Sequence, residues 1–287
     1  MIVELLDSAD EFLLRTEDLR AADPFRTNIL GSVATAVSNG NLSYDAYFWW
    51  VISNNARKVV GAAMRTAPHG MVLSPMPLSA VQELARSVTS HDDGFPGVSG
   101  PTLVVDAFVD AYKRSSSRGS LRQSEIEGRH LLYALERLTI PEVAGTMKVA
   151  GLADFDFVLQ WYLEFAAEAE VLMPNPEGSV RAGLARNALR FWEVGDEIVS
   201  LAGHAPLVET PEGTVGRIGP VYTPPKKRRR GYAGALTAAL SEELLKRGAR
   251  IMLYTDAGNP TSNSIYQRIG FELIDENQEV KFHREYV

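Results

Sequence analysis

Residues 221–236 constrain the fold of this chain more than any other part of its sequence. They read VYTPPKKRRRGYAGAL, so an apolar strand pattern passes through a proline-braced loop with five consecutive cations. Gly231 follows the cations, and an apolar stripe of helical spacing then continues as far as residue 247. Gly248 comes next, and glycine is the residue type that most often ends a helix. The sequence therefore predicts a strand, a basic loop and a long helix in direct succession.

The start of this predicted helix has the chemistry of an anion-binding site. Backbone N–H groups at a helix N-terminus are unpaired and carry the positive end of the helix dipole. Gly231 allows close approach of the backbone, while Ala233 and Gly234 keep the first turn free of bulk. A pyrophosphate with a further phosphate nearby suits this arrangement. On these residues alone two other interpretations stay open, namely a solvated basic loop and a localisation or nucleic-acid patch.

The charge balance of the whole chain argues against nucleic-acid binding. Lys and Arg number 29 and Asp and Glu number 36, which gives a net charge of −7. Proteins that bind nucleic acid generally present a basic surface. No apolar run reaches the length of a membrane span, and the first residues are acidic where a secretion signal is basic. We therefore expect a cytoplasmic protein with neither nucleic-acid nor membrane partners.

Residue content also narrows the possible chemistry. The sequence has no cysteine, which excludes disulfides, zinc–thiolate sites, iron–sulfur clusters and cysteine nucleophiles. The P-loop, H-E-x-x-H and G-x-S-x-G motifs are absent from it. The histidines form no cluster with ligand-like spacing: His69, His91, His130, His204 and His283. We expect no metal site.

Sequence periodicity divides the chain into two halves with a similar order of elements. In the first half we predict helices at 10–38, 78–88 and 101–112, strands at 47–53, 58–65, 71–73 and 130–138, and a serine-rich loop at 113–119. In the second half we predict helices at 154–172, 180–188, 232–247 and 261–268, and strands at 189–194, 197–204, 214–222, 251–255, 271–274 and 279–283. Pro141 and Gly145 interrupt the apolar pattern between the halves. We therefore predict duplicated domains at residues 1–143 and 144–287.

Two motifs in the second half resemble signatures of the GNAT superfamily of N-acetyltransferases. The pyrophosphate-loop pattern Q/R-x-x-G-x-G/A is matched by Arg228-Arg229-Arg230-Gly231-Tyr232-Ala233. The second signature, N-x-x-S/A-x-x-L/I-Y-x-x-x-G-F, is matched by residues 259–271. In the family, the first motif lies between strand four and helix three, and the second lies on helix four after strand five. The predicted elements place both motifs accordingly, and the resemblance covers residues 144–287.

This resemblance implies an α/β protein with two GNAT-type domains, each a mixed and mainly antiparallel sheet flanked by helices. Strands four and five should splay apart in the C-terminal domain to admit acetyl-CoA. The N-terminal half is similar to a GNAT domain in element order only, because Pro77 leads directly from residues 71–76 into a helix without a basic glycine loop. It therefore resembles a degenerate GNAT domain, and we expect one acetyl-CoA per chain.

The resemblance also implies which residues serve the site. The residues expected to bind acetyl-CoA are Val221, Tyr222, Thr223, Arg228, Arg229, Arg230, Gly231, Tyr232, Ala233, Gly234, Asn259 and Asn263. Tyr266 takes the role of general acid, since a phenol with a pKa near 10 suits a departing thiolate. The alternatives are structural: packing for Tyr266, helix capping for Asn259 and a solvated position for Asn263. The general base is left open among Glu193, His204, Glu209 and water.

The expected activity is transfer of an acetyl group from acetyl-CoA to an amine by direct attack in a ternary complex. The acceptor is left open among amines on small molecules and peptides, because acceptor pockets are formed by variable loops. A second possibility is an acyl-CoA-binding sensor without transfer activity. The lack of a carboxylate on strand four favours the sensor, whereas Tyr266 favours the enzyme. No sequence feature indicates an oligomeric state.

Overall fold

The computed structural model describes every residue except 92–94, 116–122, 172, 174, 212 and 284–287. The first half contains β1 (Ile2–Leu6), α1 (Ala9–Arg15), α2 (Glu17–Ala22), α3 (Asn28–Ser38), β2 (Tyr47–Ser53), β3 (Val59–Thr66), β4 (Met71–Leu73), α4 (Leu78–His91), β5 (Gly97–Pro101), α5 (Thr102–Ser115) and β6 (Gln123–Leu135). The second half contains β7 (Thr146–Val149), α6 (Phe155–Glu168), α7 (Pro176–Ala185), β8 (Leu189–Val194), β9 (Glu197–His204), β10 (Val208–Thr210), β11 (Gly213–Tyr222), α8 (Tyr232–Lys246), β12 (Ala249–Asp256), α9 (Pro260–Arg268) and β13 (Phe271–His283).

The strands form one sheet that runs through both halves. Its order is β1-β2-β3-β4-β5-β13-β6-β12-β11-β9-β8-β7, and β10 pairs with β11 beside this path. The described pairings are antiparallel except for β4 with β5 and β11 with β12, which are parallel. The predicted fold class, a mixed and mainly antiparallel sheet flanked by helices, is therefore confirmed.

Helices cover the sheet on both faces, which explains the unbroken apolar runs in its strands. Trp49 of β2 packs against Phe12 of α1 on one face, with ring centroids 5.1 Å apart. The next residue, Trp50, packs with α4 and α5 on the opposite face, because successive strand residues point to opposite sides. In the second half, α6 and α7 cover one face and α8 and α9 cover the other.

The two halves exchange strands at the centre of the sheet. β6 comes from the first half, yet it pairs with β12 on one side and with β13 on the other. β13, the last strand of the second half, pairs in turn with β5. Across the same junction Arg26 donates hydrogen bonds to Asp275 Oδ2 at 2.6 Å and to the Ile274 carbonyl oxygen at 2.7 Å. The sheet of the second half therefore depends on a strand from the first.

The predicted elements differ from the structure mainly at edges and boundaries. Four strands were not predicted: β1, β5, β7 and β10. The predicted helix at 101–112 starts at Thr102 and extends to Ser115, because Pro101 ends β5. The first long helix of the second half ends at Glu168, four residues before the predicted end. Strands predicted at 271–274 and 279–283 form a single strand, β13, whose pairing with β6 shifts register at two points.

Two further boundaries have clear local causes. α7 begins four residues before its predicted start, because Asn175 caps it by accepting a hydrogen bond from the Gly178 amide at 2.9 Å. Of the predicted serine-rich loop, residues 113–115 belong to α5, and residues 116–119 lie outside the described part of the chain. Within the described residues, no helix has the length and apolar character that crossing a membrane requires.

Candidate functional site

The sheet opens between β11 and β12. These parallel strands are paired from Thr214 with Ala249 to Ile218 with Leu253, and no further pair between them follows in the described residues. Beyond that point β11 shifts register and stays paired only with β9, with Val221 opposite Ala202. One backbone edge of the end of β11 is therefore free to bind an extended ligand as an added strand.

The loop that follows this free edge turns into α8 through two residues with positive φ. Arg229 has a φ of 63°, and Gly231, the N-cap of α8, has a φ of 82°. The first hydrogen bond of the helix runs from the Ala235 amide to the Gly231 carbonyl oxygen at 3.0 Å. Among described residues, none accepts a hydrogen bond from the amides of residues 229–234. This N-terminus therefore presents several unpaired donors at the mouth of the opening.

Both glycines at the start of α8 have close neighbours. A Cβ atom at Gly231 would lie 3.0 Å from Val143 Cγ2, in addition to the strain that a side chain brings at positive φ. A Cβ at Gly234 would lie 3.2 Å from Ile265 Cγ2 on α9. Gly231 therefore serves the backbone conformation of the loop, whereas Gly234 lets α8 and α9 pack closely.

The five cations of the loop divide into two groups. Lys227 forms an ion pair with Glu197, and Arg228 forms one with Glu168. Arg228 also donates from Nε to the Thr223 carbonyl oxygen at 2.8 Å. The other three cations, Lys226, Arg229 and Arg230, are exposed and form no ion pair with a described residue. Arg228 therefore holds the loop against α6, and the charges without an ion-pair partner among described residues are those of Lys226, Arg229 and Arg230.

The end of β11 is held from the side of β9 and α6. The Tyr222 hydroxyl contacts Glu164 Oε2 at 2.9 Å and Glu168 Oε1 at 3.1 Å, and burial together with these carboxylates raises the pKa of the phenol. Ser200 Oγ donates to the Tyr222 carbonyl oxygen at 3.0 Å and lies 2.8 Å from Thr223 Oγ1. These side chains fix the strand and leave its opposite backbone edge free.

The second motif lies on α9 beside the opening. Asn259 is the N-cap of α9, and its Oδ1 accepts a hydrogen bond from the Ser262 amide at 3.1 Å. Asn263 Nδ2 donates to the Asp256 carbonyl oxygen at 3.2 Å, while its buried Oδ1 has no hydrogen-bond partner among described residues. Tyr266 is buried in the core under α8, and burial raises its pKa to about 12. Asn263 thus presents a vacant acceptor, and Tyr266 a phenol that stays protonated near neutral pH.

The three candidate bases lie on different strands. Glu193 on β8 forms an ion pair with Lys148, and Glu209 is exposed on β10. His204 on β9 is buried, and its Nδ1 lies 2.8 Å from the Ala205 carbonyl oxygen, while Nε2 has no described partner. Burial lowers the pKa of His204, so the ring is neutral at pH 7. Because His204 is directly opposite Ile218 in the sheet, it shares the face covered by α8.

Sequence reasoning missed the carboxylates that hold the loop in place. Glu164 and Glu168 are four residues apart on α6, so they share one face of that helix and reach Tyr222 and Arg228 together. The i, i+4 pair of acids on this predicted helix is a signal that the sequence offers. The third carboxylate, Glu197, lies at the start of β9 and has no such signal.

The first half is closed at the equivalent position. β4 and β5 are paired in parallel at Met71 with Val98 and at Val72 with Ser99. One residue further on, the strands remain in close contact, since a Cβ at Gly100 would lie 2.7 Å from the Leu73 carbonyl oxygen. The first half therefore lacks the opening that the second half has between β11 and β12.

Comparison with known proteins agrees with this geometry. The family described as FR47-like protein matches residues 206–280, which span both motifs and the open edge of β11. A GNAT-family acetyltransferase from Colwellia psychrerythraea superposes with a TM-score of 0.62 at 13% identity, covering 99% of this chain and 100% of that one. A tandem GNAT protein from the clavulanic acid biosynthesis pathway superposes with a TM-score of 0.56 at 12% identity, covering 98% of each chain. This chain has the tandem GNAT fold.

A third solved structure supports the same assignment of the GNAT fold. A GCN5-related N-acetyltransferase from Sphaerobacter thermophilus superposes with a TM-score of 0.64 at 14% identity, covering 99% of this chain and 97% of that one. No curated protein was found to match in sequence. The resemblance predicted from the two motifs is thus confirmed, and the GNAT fold extends through both halves of the chain.

Proposed function

We propose that this GNAT-fold protein transfers an acetyl group from acetyl-CoA to an amine by direct attack in a ternary complex. The observation that carries the proposal is that the free backbone edge of β11 leads directly to the unpaired amides at the start of α8. The backbone edge of β11 is free from the Ile218–Leu253 pair onward, and the unpaired amides of α8 follow at its end. An extended thioester arm and a pyrophosphate are joined in acetyl-CoA in that same order.

The residues present fit acetyl-CoA. The amides of residues 229–234 would bind the pyrophosphate, and the free cations Lys226, Arg229 and Arg230 would meet the remaining phosphate. The backbone of Val221 and Thr223 would pair with the pantetheine arm. Asn263 Oδ1, which is buried without a described partner, would accept a hydrogen bond from an amide of the arm. Within this proposal Arg228, Tyr222 and Asn259 shape the site, because the contacts above already engage their side chains.

When bound, acetyl-CoA supplies a thioester whose carbonyl carbon is attacked by the amine. The Val221 amide would donate a hydrogen bond to the thioester oxygen and stabilise the charge that develops on it. The new C–N bond forms as the C–S bond breaks, and Tyr266 would give its proton to the departing sulfur. We propose water as the acceptor of the proton from the attacking amine, since β11 carries no carboxylate and Glu193 already pairs with Lys148.

We assign the donor site to residues 144–287 and a supporting role to residues 1–143. Helix α3 of the first half packs against the second half beside β11, where Arg217 donates to Asn28 Oδ1 at 3.2 Å and to Ser32 Oγ at 3.3 Å. The first half would thus shape the acceptor cleft. The acceptor is an amine on a small molecule or peptide, and the reaction is placed in the cytoplasm.

A free-thiol release assay tests this function. The protein is incubated with acetyl-CoA and a panel of amines and peptides, and release of CoA is followed together with the mass of the product. We expect thiol release that depends on the amine, with a gain of one acetyl group. Calorimetric binding of acetyl-CoA with no release for any amine would contradict transfer and would indicate an acyl-CoA sensor.

A further inference from the structure

A cavity of about 170 Å³ lies where the first half meets α6 and α7. Its walls come from the end of α3 and the residues after it, from Tyr162 on α6, from Ser179 to Arg186 on α7, and from the end of β9. Gly219 of β11 completes the lining. Pockets for drug-sized ligands measure about 300–1,000 Å³, so this one suits a small metabolite better than a peptide.

The cavity reaches the opening of the sheet from the side opposite the unpaired amides of residues 229–234, which we call the α8 cradle. Gly219 directly follows Ile218, the last residue of β11 that pairs with β12. A Cβ atom at Gly219 would have no neighbour within 4 Å, so space is open beside this backbone. A donor bound along Val221 and Thr223 and an acceptor bound in the cavity would therefore approach Gly219 from opposite ends. This is the arrangement that direct attack in a ternary complex requires.

The polar groups of the cavity lack acidic partners. Arg186 bonds to the Ala182 carbonyl oxygen at 3.1 Å, and it forms no ion pair with any described residue. The Tyr162 side chain is buried, with 6% of its surface exposed, and its hydroxyl makes no hydrogen bond to a described residue. No carboxylate belongs to the lining. Arg186 and Tyr162 therefore offer unused donors in one small space.

The lining of the cavity carries one cation, the Arg186 guanidinium, and no carboxylate. His204 also belongs to the lining, and because burial lowers its pKa the ring adds no charge there. A net positive environment favours an anion and disfavours a protonated amine, so it keeps a bound amine in its neutral, nucleophilic form.

We infer that the acceptor is a small amine that also carries a carboxylate, as an amino acid does, and that Arg186 binds this carboxylate. The inference rests on the proposed acetyl transfer. A guanidinium matches a carboxylate with two parallel hydrogen bonds, and the Tyr162 hydroxyl can donate a third. The amine of such an acceptor points towards Gly219 and the thioester. Arg186 thus determines specificity by charge, and it takes no part in the proton transfers.

The test compares each of a panel of L-amino acids with its own carboxamide as acceptor in the thiol-release assay. The amino acid and its carboxamide have the same shape. The amine of the carboxamide loses its proton more readily, so a preference for the acid could not be explained by the reactivity of its amine. We expect kcat/KM to be about tenfold higher for the preferred carboxylate, as for a charge-assisted contact. Arg186→Gln should abolish this preference by raising KM for the carboxylate. It should change kcat/KM for the carboxamide by less than about twofold. Arg186→Lys should retain part of it.

Arg181→Gln provides the matched control. Arg181 is on the same helix, but its guanidinium lies over the Phe155 ring, 4.0 Å from the centroid, and it does not line the cavity. The preference for the carboxylate should be unchanged in this variant. Equal turnover of acid and carboxamide by the wild-type protein would overturn the inference, as would an Arg186→Gln variant that slows both members equally.

Binding decides the question separately from turnover. The CoA-loaded protein is titrated calorimetrically with the same amino acids and carboxamides. Tighter binding of the acids that is lost in Arg186→Gln would support binding of the carboxylate by Arg186, even if no thiol were released. In that case only the proposed acetyl transfer would be wrong. Equal binding of acids and carboxamides, or binding of neither, would overturn the inference even if neutral amines were acetylated.

Discussion

Ile218 and Leu253 form the last backbone pair between β11 and β12, and the two proposed substrate sites meet at this pair. On one side the free edge of β11 leads to the unpaired amides of α8. On the other side Gly219 leads into the cavity between the halves. In the proposed arrangement, the local separation of the two strands would provide both a binding edge for the donor and a passage through the sheet to the acceptor.

The conformation of Gly231 should be essential for binding acetyl-CoA. In Gly231→Val, a side chain at a φ of 82° would meet Val143, and displacement of the helix start would misplace the amides. We expect calorimetric CoA affinity to fall below detection while the chain stays folded. Gly195→Val is the control, since Gly195 has a φ of 62° with no atom within 4 Å of its Cβ position. Both variants carry backbone strain of about 1–3 kcal/mol, so loss of affinity in both would contradict the cradle.

The two groups of cations in the loop should behave differently. Arg229→Gln combined with Arg230→Gln removes charges that no described carboxylate neutralises, so the Kd for CoA should rise about tenfold. The salt dependence of binding should also become shallower. Lys227→Gln removes a charge that Glu197 already pairs with, and it should change the Kd far less. The double substitution removes two charges and the control removes one. A change in binding free energy for Lys227→Gln that is half that of the double substitution would therefore show that the loop acts only through its total charge.

Tyr266→Phe tests the proposed general acid. We expect kcat to fall by about 10²-fold, the scale of general-acid catalysis, with KM for acetyl-CoA changed by less than about threefold. The control is Tyr133→Phe, because Tyr133 belongs to the same core and its hydroxyl contacts only Gln267, at 3.3 Å, among described residues. An unchanged kcat in Tyr266→Phe would assign the proton to water.

The pKa of Tyr266 also sets the pH range over which it can act. Burial favours the neutral phenol and raises the pKa to about 12, so the group remains protonated at every pH well below that value. We expect a pH profile of kcat with no loss attributable to Tyr266 near pH 10, where an exposed tyrosine titrates. A tyrosine-dependent fall in kcat near pH 10, absent from Tyr266→Phe, would contradict a buried acid.

The residues of the cradle were predictable because their requirements are local. A glycine at positive φ and small residues in a first helical turn are visible in a short stretch of sequence. β5, in contrast, reads Gly-Val-Ser-Gly-Pro and has little strand propensity. Its glycines serve contacts with distant residues: a Cβ at Gly97 would lie 2.2 Å from the Val280 carbonyl oxygen. The same non-local origin explains why the exchange of β6 and β13 could not be predicted.

Helix α8 is anchored to the sheet by an ion pair that offers a test of stability. Arg190 Nε donates to Glu243 Oε2 at 2.9 Å and Arg190 Nη2 to Oε1 at 2.5 Å, with 5% of the arginine side chain exposed. Glu243→Gln should lower the free energy of unfolding by about 2 kcal/mol, as expected for charged hydrogen bonds. The neighbouring Glu242→Gln, which removes a surface pair with Lys246, should change it by less than about 0.5 kcal/mol. Urea unfolding measures both.

The pH dependence of this stabilisation has a defined sign. The hydrogen bonds from Arg190 hold the pKa of Glu243 below its ordinary value of 4.5. The pair therefore contributes in full above the ordinary carboxyl pKa, and its contribution is lost as the pH falls through the lowered value. We expect the difference between wild type and Glu243→Gln to shrink in acid. A difference that persists unchanged at the lowest pH at which the chain still folds would contradict this account.

The asymmetry between the halves predicts one acetyl-CoA per chain. In the first half the turn between β4 and α4 reads Ser-Pro-Met-Pro and carries no cation. The amides of Ala80 and Val81 both bond to the Pro77 carbonyl oxygen, at 2.8 and 3.1 Å, so the start of α4 leaves fewer free donors than the start of α8. The contact between Leu73 and Gly100 keeps β4 and β5 together. A pyrophosphate there would lose its hydration without gaining equivalent partners.

Calorimetric titration of the intact chain with acetyl-CoA measures this stoichiometry. The intact chain is required, because removing the first half would also remove β6 from between β12 and β13. We expect a stoichiometry of one for the wild type and no measurable binding for Gly231→Val, since the substitution would disrupt the amides at the start of α8. A stoichiometry of two, or one remaining site in Gly231→Val, would show that the first half binds acetyl-CoA through a surface other than the one its strands close.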